Sequence, residues 1–400
     1  MAIWKPANAA DFNGTVFVEW LNVSPGFDNP PDWLSAHNQI IREGAAWVGV
    51  SAQMASVTGS QVIQTAGAPP AGGLIGADAA RYGSLHHPGD AFSYDVFTQA
   101  GEAVRGKGHG PNPLAGYHVK HVIAMGESQS AFRMTTYVDA IQPLAKVYDG
   151  FLIHSRGGQA APFGVQTLGQ ADPTVPSIAR IRPDVGVPVM TVETETDLIR
   201  LGYLPAQQRD SKNFRLWEVA GTSHADAYFE RSLSDLGDGS AEAAMLDPAQ
   251  ASGGRLGCSE NVNEGAAYEV VSAALVGLEK WVRTGTPPAK APRMKTTGTG
   301  AAAAIVRDEH GIARGGVRGP IVDAPIATND GLPNGGGSMC FLFGHTKPFD
   351  AATLATLYPN GAADYVKAFD KAADKAVKVG FWLKPGADLW KAAARQIKLV

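Results

Sequence analysis

Four hundred residues, 44% of them hydrophobic, can bury a large core, so the chain is of a size for an enzyme. A formal net charge of −4 gives no electrostatic footing for nucleic acid or an anionic membrane, and no apolar run approaches the length that crosses a bilayer. With 47 glycines and 26 prolines the chain is rich in loops without reaching low complexity, and it carries no internal repeat. The start, Met1-Ala2-Ile3-Trp4-Lys5-Pro6, lacks the apolar segment of a signal peptide. Asp11-Phe12-Asn13-Gly14 then leads straight into a strand, and we expect a leader or a first strand ahead of it.

Residues 15–22 are β-branched and aromatic and predict a strand. A Pro- and Gly-rich loop follows, then a helix over 33–43 stopped at Gly44 and a strand over 46–52. Strand, helix and strand with short connections form a βαβ unit, hence a parallel sheet. Residues 53–88 read as loop. Tyr82, His86 and His87 lie there, just ahead of a helix over 91–104. No Cys or further His stands at ligand spacing from the paired histidines, so no metal is expected and they read as pocket lining.

A strand from residue 122, a helix over 131–141 and a strand over 147–154 come next. The stretch 158–183 has no sustained periodicity; leaving the sheet at its carboxyl edge, it reads as a lid. Apolar strands follow at 187–193 and 214–219, then an amphipathic helix over 264–283. Residues 285–345 are Gly- and Pro-rich, and lysine-rich helices with a solvated face are expected at 362–378 and 388–398. This divides the chain into a core over 1–284 and an extension over 285–400 packed on it. Cys258 and Cys340, the only cysteines, both fall after residue 224 in loop-rich sequence. We expect them to be bridged, with two buried thiols as the alternative; a bridge would favour export.

Chemistry concentrates at Val122-Ile123-Ala124-Met125-Gly126-Glu127-Ser128-Gln129-Ser130-Ala131. A strand, a sharp turn and a helix with Ser128 at the apex form a nucleophile elbow, although Ser130 replaces the usual last glycine. A serine hydroxyl needs a histidine to take its proton and an acid to orient that histidine. His224, on the Gly/Ser/Thr loop after the 214–219 strand, is the candidate base. Glu193, Glu195 and Asp197 compete for the acid. Glu193 belongs to the sheet, Asp197 suits a small-x-x-Asp loop, and Glu195 is the alternative. His154 ends a strand and reads as pocket lining. Oxyanion donors are expected at the backbone of Gln129 and, to within two residues, of Leu21 or Asn22.

These blocks give the chain a wider likeness. It resembles the α/β-hydrolase superfamily and, more closely, a bacterial group of alpha/beta hydrolase domain proteins. The likeness rests on Phe12-Asn13-Gly14-Thr15, Glu19-Trp20-Leu21-Asn22-Val23, Gly49-Val50-Ser51-Ala52-Gln53, Arg81-Tyr82-Gly83-Ser84-Leu85 and His87-Pro88-Gly89-Asp90. It continues through Gly126-Glu127-Ser128-Gln129-Ser130-Ala131, Asp149-Gly150-Phe151-Leu152, Trp217-Glu218-Val219-Ala220-Gly221, His224-Ala225-Asp226 and Phe341-Leu342-Phe343-Gly344. The resemblance implies an α/β-hydrolase fold, a mostly parallel sheet flanked by helices with a lid insertion and a loop-rich extension, and catalytic roles for Ser128 and His224. We expect a carboxylic-ester hydrolase working through an acyl-enzyme without a cofactor on a small-molecule ester. An amidase, an acyltransferase or a catalytically idle binding protein are the alternatives.

Overall fold

The computed structural model describes residues 1–60, 72–108, 110–164, 175–232 and 257–399. Seven strands form one sheet: β1 (Ala2–Trp4), β2 (Thr15–Trp20), β3 (Ala46–Val50), β4 (His121–Glu127), β5 (Gly150–His154), β6 (Val189–Thr194) and β7 (Phe214–Val219). Their spatial order is β1-β3-β2-β4-β5-β6-β7. Only β1 runs antiparallel, pairing Ala2 with Gly49 and Trp4 with Trp47 at the sheet edge. That edge strand has no counterpart in the sequence reading, being three residues long and too short for a period to register.

Both faces of the sheet are covered, which is why its strands read as continuous apolar runs. Alternate residues serve alternate faces. Phe17, Trp47, Ile123, Leu152, Met190 and Trp217 face helix α1 (Pro31–Arg42) and the Ala267–Thr284 helix. Val16, Val48, Ala124, Phe151, Val189 and Leu216 face the Ser93–Val104 and Gln129–Thr136 helices. The expected amphipathic helix at 264–283 is observed three residues later at its start, as Ala267–Thr284. The expected helix at 131–141 is instead Gln129–Thr136, followed by a π-helical turn at Tyr137–Ile141.

The chain steps outward from β2 to β3, then crosses back to β4 on the other side of β2. The crevice of an open parallel sheet lies where strand order reverses, beyond the carboxyl ends of the strands. Here that point is the junction of β2 and β4, just where Asn22 and Ser128 emerge. The described parts of the 158–183 excursion have no regular element; residues 165–174 of the expected lid lie outside the described residues.

The segment after Thr284 returns to the sheet. Val317 exchanges backbone bonds with Glu218 and Ala220 beside β7. Phe381 sets its ring edge on Trp217 with centroids 5.0 Å apart. The terminal helix is Lys384–Ala394 rather than 388–398, because Pro385 fixes a helical φ in the first turn and starts the helix earlier. No helix among the described residues is long and apolar enough to cross a membrane.

Cys258 and Cys340 are joined by a disulfide across a sequence separation of 82. A bridge closing a loop of that length removes unfolded-state entropy worth about 4 kcal/mol. Replacing both cysteines by serine is therefore expected to lower the guanidinium unfolding midpoint. Thiol titration of the denatured, unreduced protein should find no free groups. An unchanged midpoint would show that the bridge is energetically idle.

Candidate active site

Ser128 sits directly after β4 with φ 55° and ψ −118°, a backbone conformation that a side chain disfavours. Such a residue costs on the order of 1–3 kcal/mol and persists only where its surroundings enforce it. Here Ser128 N–H donates to the carbonyl of His154 at 3.0 Å, and its own carbonyl accepts the N–H of Phe132, opening the Gln129–Thr136 helix. Gly126 lets that helix close on the strand: a Cβ there would meet Met134 Cγ at 2.9 Å and Ser130 Cβ at 3.1 Å. Ser130, in the place of the usual last glycine, is itself fully buried against this packing.

Three loops beyond the sheet bring Ser128, His224 and Asp197 into one line. The Ser128 hydroxyl lies 2.8 Å from His224 Nε2, and His224 Nδ1 lies 2.7 Å from Asp197 Oδ1. With Nδ1–H donating to the carboxylate, Nε2 is left to accept from the hydroxyl. Asp197 is wholly buried in the first turn of the Glu195–Ile199 helix. Its other oxygen accepts the N–H and hydroxyl of Thr194 at 2.6 and 2.7 Å, a capping box that fixes the carboxylate's orientation. Burial alone would raise this carboxyl, but His224 and the Thr194 donors outweigh it and hold it below the ordinary range.

Glu195 is also buried, and its carboxylate is engaged elsewhere. Oε1 accepts Gly221 N–H at 2.7 Å; Oε2 accepts from Arg307 at 2.6 Å and from Gly331 N–H at 3.2 Å. It fastens the His224 loop to the segment that follows Thr284. Glu193 points from β6 into the interior, as expected for a strand residue, and burial pushes its carboxyl up.

The expected oxyanion donors are only partly available. Leu21 N–H bonds to Val50 O at 3.2 Å, and Asn22 N–H to Asn29 O at 2.8 Å, so neither is free to bind a developing negative charge. The loop's own pairing takes them. At these two loops the backbone N–H groups of Gln129 and Val23 make no hydrogen bond to another described backbone carbonyl. Val23 lies just after the expected pair.

The predicted lining residues separate. His154 is buried and lines a small cavity of about 20 Å³ beside His224, together with Glu127, Asp226, Ser35, Phe229 and Tyr268. Tyr82, His86 and His87 are not on its walls. His87 is a fastener: its Nε2 pairs with Ala52 O at 3.0 Å and its Nδ1 accepts Gly89 N–H at 3.1 Å. His86 is exposed, and Tyr82 is half-buried with Arg81 over its ring. Among the described residues no three His, Cys, Asp or Glu side chains are grouped to hold a metal ion.

Two neighbours of the site had no part in the sequence reading. Glu127 Oε1 lies 3.4 Å from His224 Nε2, and Asp32 Oδ1 lies 2.9 Å from His154 Nδ1. Burial pushes the Glu127 carboxyl up to about 7 and that of Asp226 likewise to about 7. Burial would lower both histidines, yet His154 is raised by Asp32, and His224 by Glu127 and Asp197. The available signals were slight: an acid inside the elbow motif, and an acid after Pro30-Pro31 at a helix start.

A family model described as an alpha/beta hydrolase domain matches residues 1–391. Among solved structures, the apo form of Thermogutta terrifontis esterase 2 aligns over 54% of this chain and 76% of its own, with 11% identity and a TM-score of 0.23. No curated protein matches the sequence. The family match runs from the edge strand into the terminal helix, and the chain belongs to the alpha/beta hydrolase domain family.

Proposed function

We propose that the protein is a serine hydrolase of carboxylic esters, with Ser128 as nucleophile, His224 as general base and Asp197 as the orienting acid. The observation that carries this is the unbroken pair of hydrogen bonds from Ser128 Oγ through His224 to Asp197, reached from three separate strands. Ser128 attacks the ester carbonyl carbon as Nε2 takes its proton. The oxyanion is met by the N–H groups of Gln129 and Val23. The imidazolium then protonates the departing alcohol, leaving an acyl group on Ser128. Water, deprotonated by the same imidazole, attacks that acyl group and releases the acid. Asp197 stabilises the imidazolium and fixes the ring's tautomer without itself taking the proton. Esters are favoured because an alkoxide is a far better leaving group than an unprotonated amide nitrogen, so C–O cleavage demands less complete proton transfer from the imidazolium.

Ser128→Ala is expected to abolish covalent labelling by a fluorophosphonate and to lower turnover of chromogenic esters by about 10⁴ or more. A panel of esters of graded acyl length, run beside the matching anilides, reads out acyl preference and ester-over-amide selectivity together. Unchanged turnover by Ser128→Ala sinks the proposal.

The two acids separate by what they lose. Asp197→Asn should lower kcat by about 10³ to 10⁴ with KM little changed, since the ring's tautomer is lost. Glu195→Gln should instead cost about 2 kcal/mol in urea unfolding, because it weakens the hold on Arg307 and two buried N–H groups. Its kcat should stay within roughly tenfold of the wild type. The reverse pattern would transfer the acid role to Glu195.

A further inference from the structure

Glu127 takes no part in the reaction just described, yet its carboxylate is at the reacting histidine. The side chain is buried, and Oε1 stands 3.4 Å from His224 Nε2, the nitrogen that Ser128 Oγ reaches at 2.8 Å. Its position is fixed from the neighbouring strand: Asn22 Nδ2 donates to Glu127 Oε2 and to the Glu127 carbonyl, both at 3.3 Å. The charged and titratable groups around it come from every adjoining element. They are His224 and Asp226 from the loop after β7, His154 from β5, Asp32 from α1 and Asp197 beyond the imidazole. The imidazole is thus held between two carboxylates, Asp197 on its Nδ1 side and Glu127 on its Nε2 side.

We propose that Glu127 is a positioning residue for His224, competing with Ser128 for the imidazole's Nε2 side, so that the pH range of hydrolysis is set by the Glu127–His224 pair and not by His224 alone. The proposal rests on the Ser128–His224 reading. When Nε2 carries a proton, the cation lies at ion-pair distance from Glu127 and is stabilised by it; Nε2 cannot then accept the Ser128 hydroxyl, and the site is off. When that proton leaves, Nε2 accepts from Ser128 and the site is on. During attack the proton returns to Nε2 from Ser128, and the Glu127 carboxylate stabilises the cation as it forms. Ionised Glu127 therefore makes His224 a stronger base and also keeps it protonated to higher pH. Burial pushes the Glu127 carboxyl up to about 7, and the charges of Glu127 and Asp197 raise His224, so the charge on each group bears on the proton of the other.

Glu127→Gln removes the charge while its amide oxygen can still accept from Asn22; its NH₂ then faces Nε2 and favours the neutral ring. The variant should still label with a fluorophosphonate. Its acid limb of kcat/KM should move down by about one pH unit. Its kcat on the alkaline plateau should fall on the order of tenfold. The downfield Nδ1–H proton resonance of the imidazolium should persist to higher pH in the wild type than in Glu127→Gln. Glu127→Asp, which keeps a carboxylate on a shorter reach, should fall between the two. Superimposable pH limbs for wild type and Glu127→Gln would overturn the proposal while leaving the serine mechanism standing; a wild type that never labels would overturn the serine mechanism itself. Should Glu127→Gln not fold, the wild-type resonance decides alone: two inflections with pH support the pair, and a single one overturns it.

Discussion

The site depends on one backbone constraint, the positive φ of Ser128 at the end of the central strand β4. A relaxed turn would lay the hydroxyl against the sheet. The strained one lifts it into the crevice where the β2, β6 and β7 loops converge. The strain is borne by ordinary interactions: a hydrogen bond to His154 O, the first bond of the following helix, and a strand paired on both sides by β2 and β5. A side chain at Gly126 would push the helix away and remove one of these supports.

Around that turn the interior is unusually acidic. Glu19, on β2, accepts the N–H groups of Asp32 and Trp33 and the indole N–H of Trp47, and so caps α1 from beneath. Asp32, thus placed, pairs with His154, and the His154 carbonyl holds Ser128. One connected set of polar contacts therefore runs from the far side of β2 to the elbow. Burial raises Glu19, and Asp32 adds to that by repulsion. Carboxyls in such a place are stabilised by hydrogen bonds, as at Glu19, and burial favours their neutral form.

The parallel strands β2 to β7, the elbow turn and the histidine loop were legible because each rests on a local pattern: an apolar run, a small residue before a serine, a Gly-Thr-Ser-His loop. Which of Asp197 and Glu195 faces His224 was not, since the two differ only in their distant partners, His224 for one and Arg307 with Gly221 and Gly331 for the other. That the Leu21 and Asn22 N–H groups are taken up within the fold was hidden for a similar reason: it depends on the Asn22–Asn29 pairing inside the loop and on the bond to Val50 O. Glu127 and Asp32 carry only slight signals in sequence, because the side chains that meet them at the site, His224 and His154, lie far along the chain. The terminal helix starts four residues before the expected 388 for a purely local reason, the helix-starting Pro385 in its first turn.

The loop bearing His224 is held mostly by what comes long after it. Leu342 O accepts Ala225 N–H, the Asn263 side chain spans Gly221 O and Asp330 O, and Arg307 and Gly331 grip Glu195. Chains emerge from the ribosome in sequence order. Ser128, Asp197 and His224 are therefore all synthesised before the residues that hold His224's loop in place, so the contacts that seat this loop are complete only once residue 342 has been added.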